Sequence, residues 1–190
     1  MPTTTVPDAL ALIGAELQDA VTALRTSDPE RFARALDLLD GAERVFVHGA
    51  GRSGLALRMT AMRLMHLGFD VHVVGEVTTP AIERGDVLLV ASGSGTTAGI
   101  VQAARTAAEV GAEVLAVSTT DDSPLAAVAQ TTLVIPAATK TDRSGTASAQ
   151  YAGSLFEQVV GLLGDALFHA LWQRGGQSAD ELWPRHANLE

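Results

Sequence analysis

Arg44-Val-Phe-Val-His48 is a short apolar run that passes directly into Gly49-Ala-Gly-Arg-Ser-Gly54, after which apolar residues recur every three or four positions as far as Leu67. An apolar run, a glycine turn and a helical period predict strand, tight turn and helix in succession. The same unit recurs downstream. Val71–Val74 reads as a second strand, and Val87–Ala91 as a third that enters Ser92-Gly-Ser-Gly-Thr-Thr97 and a helix ending near Gly111. Val114–Val117 and Leu133–Ile135 supply two more strands. Short Val- and Leu-rich strands alternating with helices require crossover connections. The expected architecture is therefore α/β, a single three-layer domain whose five-stranded parallel sheet is flanked by helices on both faces.

Outward from that core, helical patterns at about Pro7–Leu24 and Pro29–Leu39 form an expected N-terminal helical arm over residues 1–40. A long helical pattern covers about Ser148–Trp172, and a polar tail covers residues 175–190. Thr139–Thr146, rich in Thr, Asp, Ser and Gly, reads as a mobile loop. At 190 residues the chain fits one domain with a full core, residues 1–190, without space for a second catalytic unit.

Composition narrows the function classes. Apolar residues make up 47% and charged residues 18%, yet no apolar run approaches the roughly 20 residues of a bilayer-spanning helix, so no membrane partner is expected. The N-terminal residues lack a basic start, apolar core and small-residue cleavage site, which sets the expectation of a cytoplasmic protein. Zero cysteines exclude disulfides and thiol catalysis. A formal charge of −9 argues against a nucleic-acid partner, because phosphate-backbone binding needs clustered Lys and Arg. Lys140 is the only lysine, so a Schiff base would have to form there.

Both glycine turns fall at the carboxyl edge of the expected sheet, where open parallel sheets bind ligands. Glycines let backbone approach an anion closely, and the first amides of the following helix carry partial positive charge. Ser92, Ser94, Thr96 and Thr97 add hydroxyl donors around Gly93, a composition suited to phosphate; helix capping alone would account for one or two of the four. Gly49–Gly54 also matches the G-x-G-x-x-G dinucleotide pattern after a strand, and Glu76 lies near the distance expected of a ribose-binding acid. That rival ranks second, since another glycine turn competes for the same edge and no further domain is there to carry a hydride acceptor's substrate.

These residues resemble the sugar isomerase (SIS) domain family, and within it the 6-phospho-3-hexuloisomerases of formaldehyde-fixing ribulose monophosphate metabolism. The resemblance spans nearly the whole chain. It rests on Gly49–Gly54, Ala61-Met-Arg-Leu-Met-His-Leu-Gly-Phe69, Val74-Gly-Glu76, Ser92-Gly-Ser-Gly95, Gly153-Ser-Leu-Phe-Glu157 and Arg185-His-Ala-Asn-Leu-Glu190. It implies a flavodoxin-like strand order and interconversion of 3-hexulose 6-phosphate with fructose 6-phosphate. It further implies that no metal or organic cofactor takes part, and that the protein is a homo-oligomer, a tetramer or dimer. It implies that the Ser92–Thr97 turn holds phosphate with Gly51, Arg52 and Ser53 nearby, and that Glu157 is the proton-transferring base. The family usually has Pro-Met where this chain has Tyr151-Ala152, and glutamate where it has Thr96.

Moving a carbonyl to the neighbouring carbon needs one group to take a proton and return it, and a partly buried carboxylate near the start of an apolar helix suits that task. Read without the resemblance, Glu157 is an acid favoured in an early helical turn. His66, near a helix end where a cation is favoured, is either a structural imidazole or a shuttle between sugar oxygens. His186, in the polar tail, is either part of a frayed terminus or able to reach a neighbouring subunit's site. Arg52 either contacts phosphate or sugar, which its place in the first glycine turn favours, or simply pairs with an acid on the surface. The five histidines show no pair at metal-ligand spacing. A dinucleotide-dependent enzyme and a non-catalytic phosphosugar sensor are the competing classes; the leading helices show no basic recognition helix, which disfavours DNA-linked sensing.

Overall fold

The computed structural model describes residues 4–142 and 147–189. Two helices lead, α1 (Val6–Arg25) and α2 (Pro29–Asp40). The β1 strand (Val45–Gly49), α3 (Gly51–Leu67) and β2 (Val71–Val73) follow, then β3 (Val87–Ala91), α4 (Ala98–Val110), β4 (Glu113–Ser118) and β5 (Thr131–Val134). The chain closes with α5 (Ser154–Gly175) and the short α6 (Ala179–Leu182). All pairings in the sheet are parallel, in the order β2-β1-β3-β4-β5, which is the flavodoxin-like order expected.

Alternation along the strands explains the layers. Val45 and Val47, Val87 and Leu89, and Leu115 and Val117 pack with α1, α2, α3 and α5 on one face. Phe46, Leu88, Val90, Val114 and Ala116 pack with Ile100, Val101, Ala104 and Ala107 of α4 on the other. The α4 helix covers that face, with Leu125 buried beside it. Two glycines set the spacing around α3. A Cβ on Gly54 would collide with the backbone of Gly49, and one on Gly164 of α5 would collide with Thr60 of α3. Among the described residues no helix is long and apolar enough to cross a membrane.

Near the foot of β3, Asp86 is 1% exposed. Arg44 grips both its oxygens, Nε at 2.9 Å and Nη2 at 2.6 Å, and the Glu83 N–H adds a third bond at 2.7 Å. Burial alone would raise the Asp86 carboxyl; the bonds from Arg44 and Glu83 outweigh it and hold the group below its ordinary range.

The starts of β5 and α5 move by two residues or more, and the tail is ordered. The β5 strand starts at Thr131, two residues before the expected Leu133, because Thr131 and Thr132 are buried β-branched residues that extend readily despite their hydroxyls. The α5 helix starts at Ser154 instead of Ser148, since Ala152 (φ 49°) and Gly153 (φ 79°) take left-handed backbone that a right-handed helix cannot pass through. The tail is not frayed: Ser178 and Glu181 form a reciprocal capping box on α6, Leu182 is buried, and Trp183–Arg185 make a 3₁₀ turn. Of the loop expected at 139–146, residues 143–146 lie outside the described residues.

Candidate active site

The sheet reverses direction of growth between β1 and β3, and there, at their carboxyl ends, lies a cleft of about 120 Å³. Its walls are the β1–α3 turn, the β3–α4 turn, the segment at Ala138–Lys140, and the start of α5. Ser53, Ser92, Gly93, Ser94, Thr97 and Glu157 all line it.

The helices pointing into this cleft differ from the others in one respect. The first residues of α1, α2 and α6 are capped by the side chains of Thr5, Asp28 and Ser178. The residues flanking the starts of α3, α4 and α5, which are Ala50, Thr97 and Gly153, supply no side-chain cap. A helix leaves its first four amides without internal partners, and where no side chain serves them an anion can. Capping was the simple alternative for the Ser92–Thr97 hydroxyls, and Thr97 does not cap α4.

Side chains hold the β3–α4 turn in shape without filling the cleft. The Gly93 carbonyl accepts from the Thr119 N–H (3.0 Å), Thr119 Oγ1 (2.7 Å) and Ser118 Oγ (3.2 Å). Ser92 Oγ and Thr97 Oγ1 share a hydrogen bond of 3.1 Å, while Ser94 Oγ accepts from the N–H and Oγ1 of Thr96 at 3.3 and 2.9 Å. The ring of Phe156 lies against Gly93, where a Cβ would touch it at 3.4 Å. Thr96 is exposed and stands outside the lining, and Gly51 (φ 59°) shapes the entry to α3 without lining the cleft.

Glu157 is largely buried, at 13% side-chain exposure, and its Oε2 lies 2.9 Å from Arg52 Nη1. The same Nη1 donates to Ser154 Oγ at 3.1 Å, so Arg52, itself 57% exposed, bridges the starts of α3 and α5. Lys140 lines the opposite wall. The arrangement offers backbone and hydroxyl donors for a small dianion beside a shielded carboxylate and two cations, the elements of phosphosugar proton transfer.

The two histidines lie elsewhere in this chain. His66 is buried at the far end of α3, fourteen residues and about 21 Å beyond Arg52. Its ring stacks on His186 at 4.0 Å between centroids, and His186 stacks on Trp183 at 4.7 Å. Arg185 Nη1 donates to the His66 carbonyl at 3.3 Å. Burial, with the nearby His186 and Arg63, pushes His66 below its ordinary value. One chain therefore joins His66 to His186, and Glu157 to the serine turn, but not the one pair to the other.

The acid on which the dinucleotide reading depended, Glu76, is paired to Arg58 at 2.6 Å. Among the described residues no group of three or more His, Asp or Glu is placed to hold a metal ion. Sequence reasoning passed over Glu16, whose contacts with residues 148–150 were invisible to local pattern because 132 to 134 positions separate them.

Comparison with known proteins bears on this arrangement. Residues 38–160 match the model of the SIS domain. A Mycobacterium gastri protein named 3-hexulose-6-phosphate isomerase is 52% identical over 97% of this chain and 92% of its own length. A Bacillus subtilis protein of the same name is 34% identical over 92% and 94%. A crystal structure of a Methanococcus jannaschii protein, described as inferring 3-hexulose-6-phosphate isomerase function, superposes with a TM-score of 0.79 at 27% identity, covering 96% of this chain and 99% of that one. On the sheet order, the two glycine turns and these matches, the chain belongs to the SIS domain family.

Proposed function

We propose that this protein is a phosphosugar isomerase that interconverts 3-hexulose 6-phosphate and fructose 6-phosphate, with Glu157 as the base. One observation carries the reading: three uncapped helix starts and the hydroxyls of Ser92, Ser94 and Thr97 converge on a cleft that also holds a largely buried carboxylate. The full-length relatives of that name support the choice of sugar.

In this mechanism the phosphate sits on the amides and hydroxyls of the Ser92–Thr97 turn, with Ser53 beside it. Glu157 takes the proton from C2 of the 3-ketose. The electron pair of that C–H bond forms the C2=C3 double bond of an enediol, and the C3 carbonyl oxygen gains a proton. Glu157 then returns its proton to C3 while the O2 hydroxyl proton leaves, placing the carbonyl at C2. Arg52, already on Glu157, holds the carboxylate in place and presents positive charge to the developing enediolate.

The reading includes a homo-oligomer. Leu55, Met59 and Met62 on α3 and Leu162 on α5 are exposed apolar side chains, and they begin beside the Arg52–Glu157 pair and extend toward His66. A second copy laid antiparallel along this stripe brings its own His66–His186 pair toward the first copy's cleft, where an imidazole serves to move protons between O2 and O3.

The test is a coupled assay of fructose 6-phosphate formation from 3-hexulose 6-phosphate, with Glu157→Gln in parallel. Turnover by the natural protein and a loss of roughly a hundredfold or more in the variant is the expected result. No turnover, with a melting temperature raised by the sugar phosphate, would instead make the protein a sensor.

A further inference from the structure

Glu16 sits midway along α1, yet its carboxylate accepts three hydrogen bonds from the segment that leads into the cleft. Ser148 Oγ and the Ala149 N–H donate at 2.7 Å each, and Gln150 Nε2 donates at 3.0 Å. Bonds of this kind to an ionised acceptor are about twice as strong as neutral ones. Partial burial pushes the Glu16 carboxyl up, but the three donors outweigh it and draw it below its ordinary value.

The order continues inward. Gln150 Nε2 is committed to the carboxylate, which turns its Oε1 to accept from Gln158 Nε2 at 2.9 Å, one residue from Glu157. Beyond Gln150 the chain turns through Ala152 and Gly153, both in left-handed backbone and both lining the cleft. For alanine that conformation is unfavourable, so neighbouring contacts must hold it. On the far side of the turn the Gly153 carbonyl accepts from the Glu157 N–H at 3.3 Å. There too Ser154 Oγ donates to the Tyr151 carbonyl at 2.7 Å and receives Arg52.

We propose that Glu16 is a positioning residue of the active site: by clamping residues 148–150 it holds the Tyr151–Gly153 turn, and through that turn it sets Glu157 and Arg52. The N-terminal arm is on this account part of the catalytic apparatus. The proposal rests on the reading of Glu157 as base.

The experiment measures kcat, KM and melting temperature of the full chain as Glu16→Gln and Gln150→Ala, each alone and combined with Glu157→Gln. Glu16→Gln keeps the shape but presents an amide NH₂ to at least one of the three donors. The expected outcome is a kcat lower by roughly ten- to hundredfold, the cost of a small misplacement of the reacting group, while the protein remains folded at the assay temperature. In the Glu157→Gln background the same change causes no further loss of residual activity. Gln150→Ala removes one of the three bonds to Glu16 together with the relay to Gln158, leaves the Ser148 and Ala149 bonds, and lowers kcat by a smaller factor, which keeps the test available should Glu16→Gln fold poorly. A kcat within about twofold of the natural protein in both single variants overturns the proposal, as does an undiminished loss in the Glu157→Gln background. Should Glu157→Gln alone retain full activity, the assignment of the base falls and the positioning role with it. Dependence on Glu157 with indifference to Glu16 removes the positioning role alone.

Discussion

Asp86 remains charged in an almost sealed position only because Arg44 and the Glu83 amide supply three hydrogen bonds to its two oxygens. Cutting Asp86 to Ala removes two hydrogen bonds from Arg44, whose partly exposed guanidinium keeps the Ala81 carbonyl and Glu83, so a measurable loss of stability is expected. Urea denaturation at neutral pH checks this. The same group makes stability fall in acid. Its folded value lies below the ordinary 3.8, so the folded state binds the proton more weakly than the unfolded one does. The stabilisation is complete above about pH 4 and drains away as pH falls through the lower, folded value. An Asp86→Asn variant is expected to be less stable at pH 7 and to lose less on going from pH 4 to pH 2. Equal slopes for the two proteins would show that the acid sensitivity lies elsewhere.

Among the elements, the C-terminal tail is the one whose docking depends on protonation. His66 lies under His186, and both burial and its neighbours lower it from the ordinary 6.5. Its contribution is therefore whole above about pH 6.5 and lost as pH drops below that through the folded value. A charged His66 repels Arg63 and His186 and loosens the stack that ends on Trp183. The expected result is a change in Trp183 fluorescence between pH 7 and pH 5, measured in a Trp172→Phe background and absent in His66→Phe. How well the elements could be read in advance depended on how local their causes were. The β1–turn–α3 unit was plain because both the collision avoided at Gly54 and the apolar periods lie within a few residues of sequence. The start of α5 was misplaced because it is set by the left-handed backbone of Ala152 and Gly153, and nothing in the local pattern marks an alanine for that conformation. The serine turn was legible as an anion site from composition, but the missing caps on α3 and α5 required seeing where the three helices point. The His66–His186 stack could not be foreseen from either residue's local pattern, since 120 positions of sequence (186 − 66) separate the two.

For the whole molecule, the separation of His66–His186 from Glu157 leads to a prediction that a self-sufficient chain would not meet. With composite sites, Glu157→Gln and His66→Ala are each inactive, but unfolding and refolding them together restores activity. In a two-fold assembly formed at random, half the particles are mixed and one of their two sites has only natural residues. About a quarter of natural activity should then return. No recovery, in mixtures shown by light scattering to be oligomers, would place the whole site within one chain. Substituting Met59 by Asp puts a charge in the exposed apolar stripe and is expected to yield monomers with little turnover.

Lys140 stands on the cleft wall, and the chain has no other lysine. An acylating reagent thus meets a single ε-amine in the entire protein, and that amine borders the cavity. Apart from the α-amino end, every equivalent of label incorporated reports on one location. Mass spectrometry of the intact protein can then follow occupancy through shielding of Lys140 by a sugar phosphate, without tags, cysteines or a turnover assay.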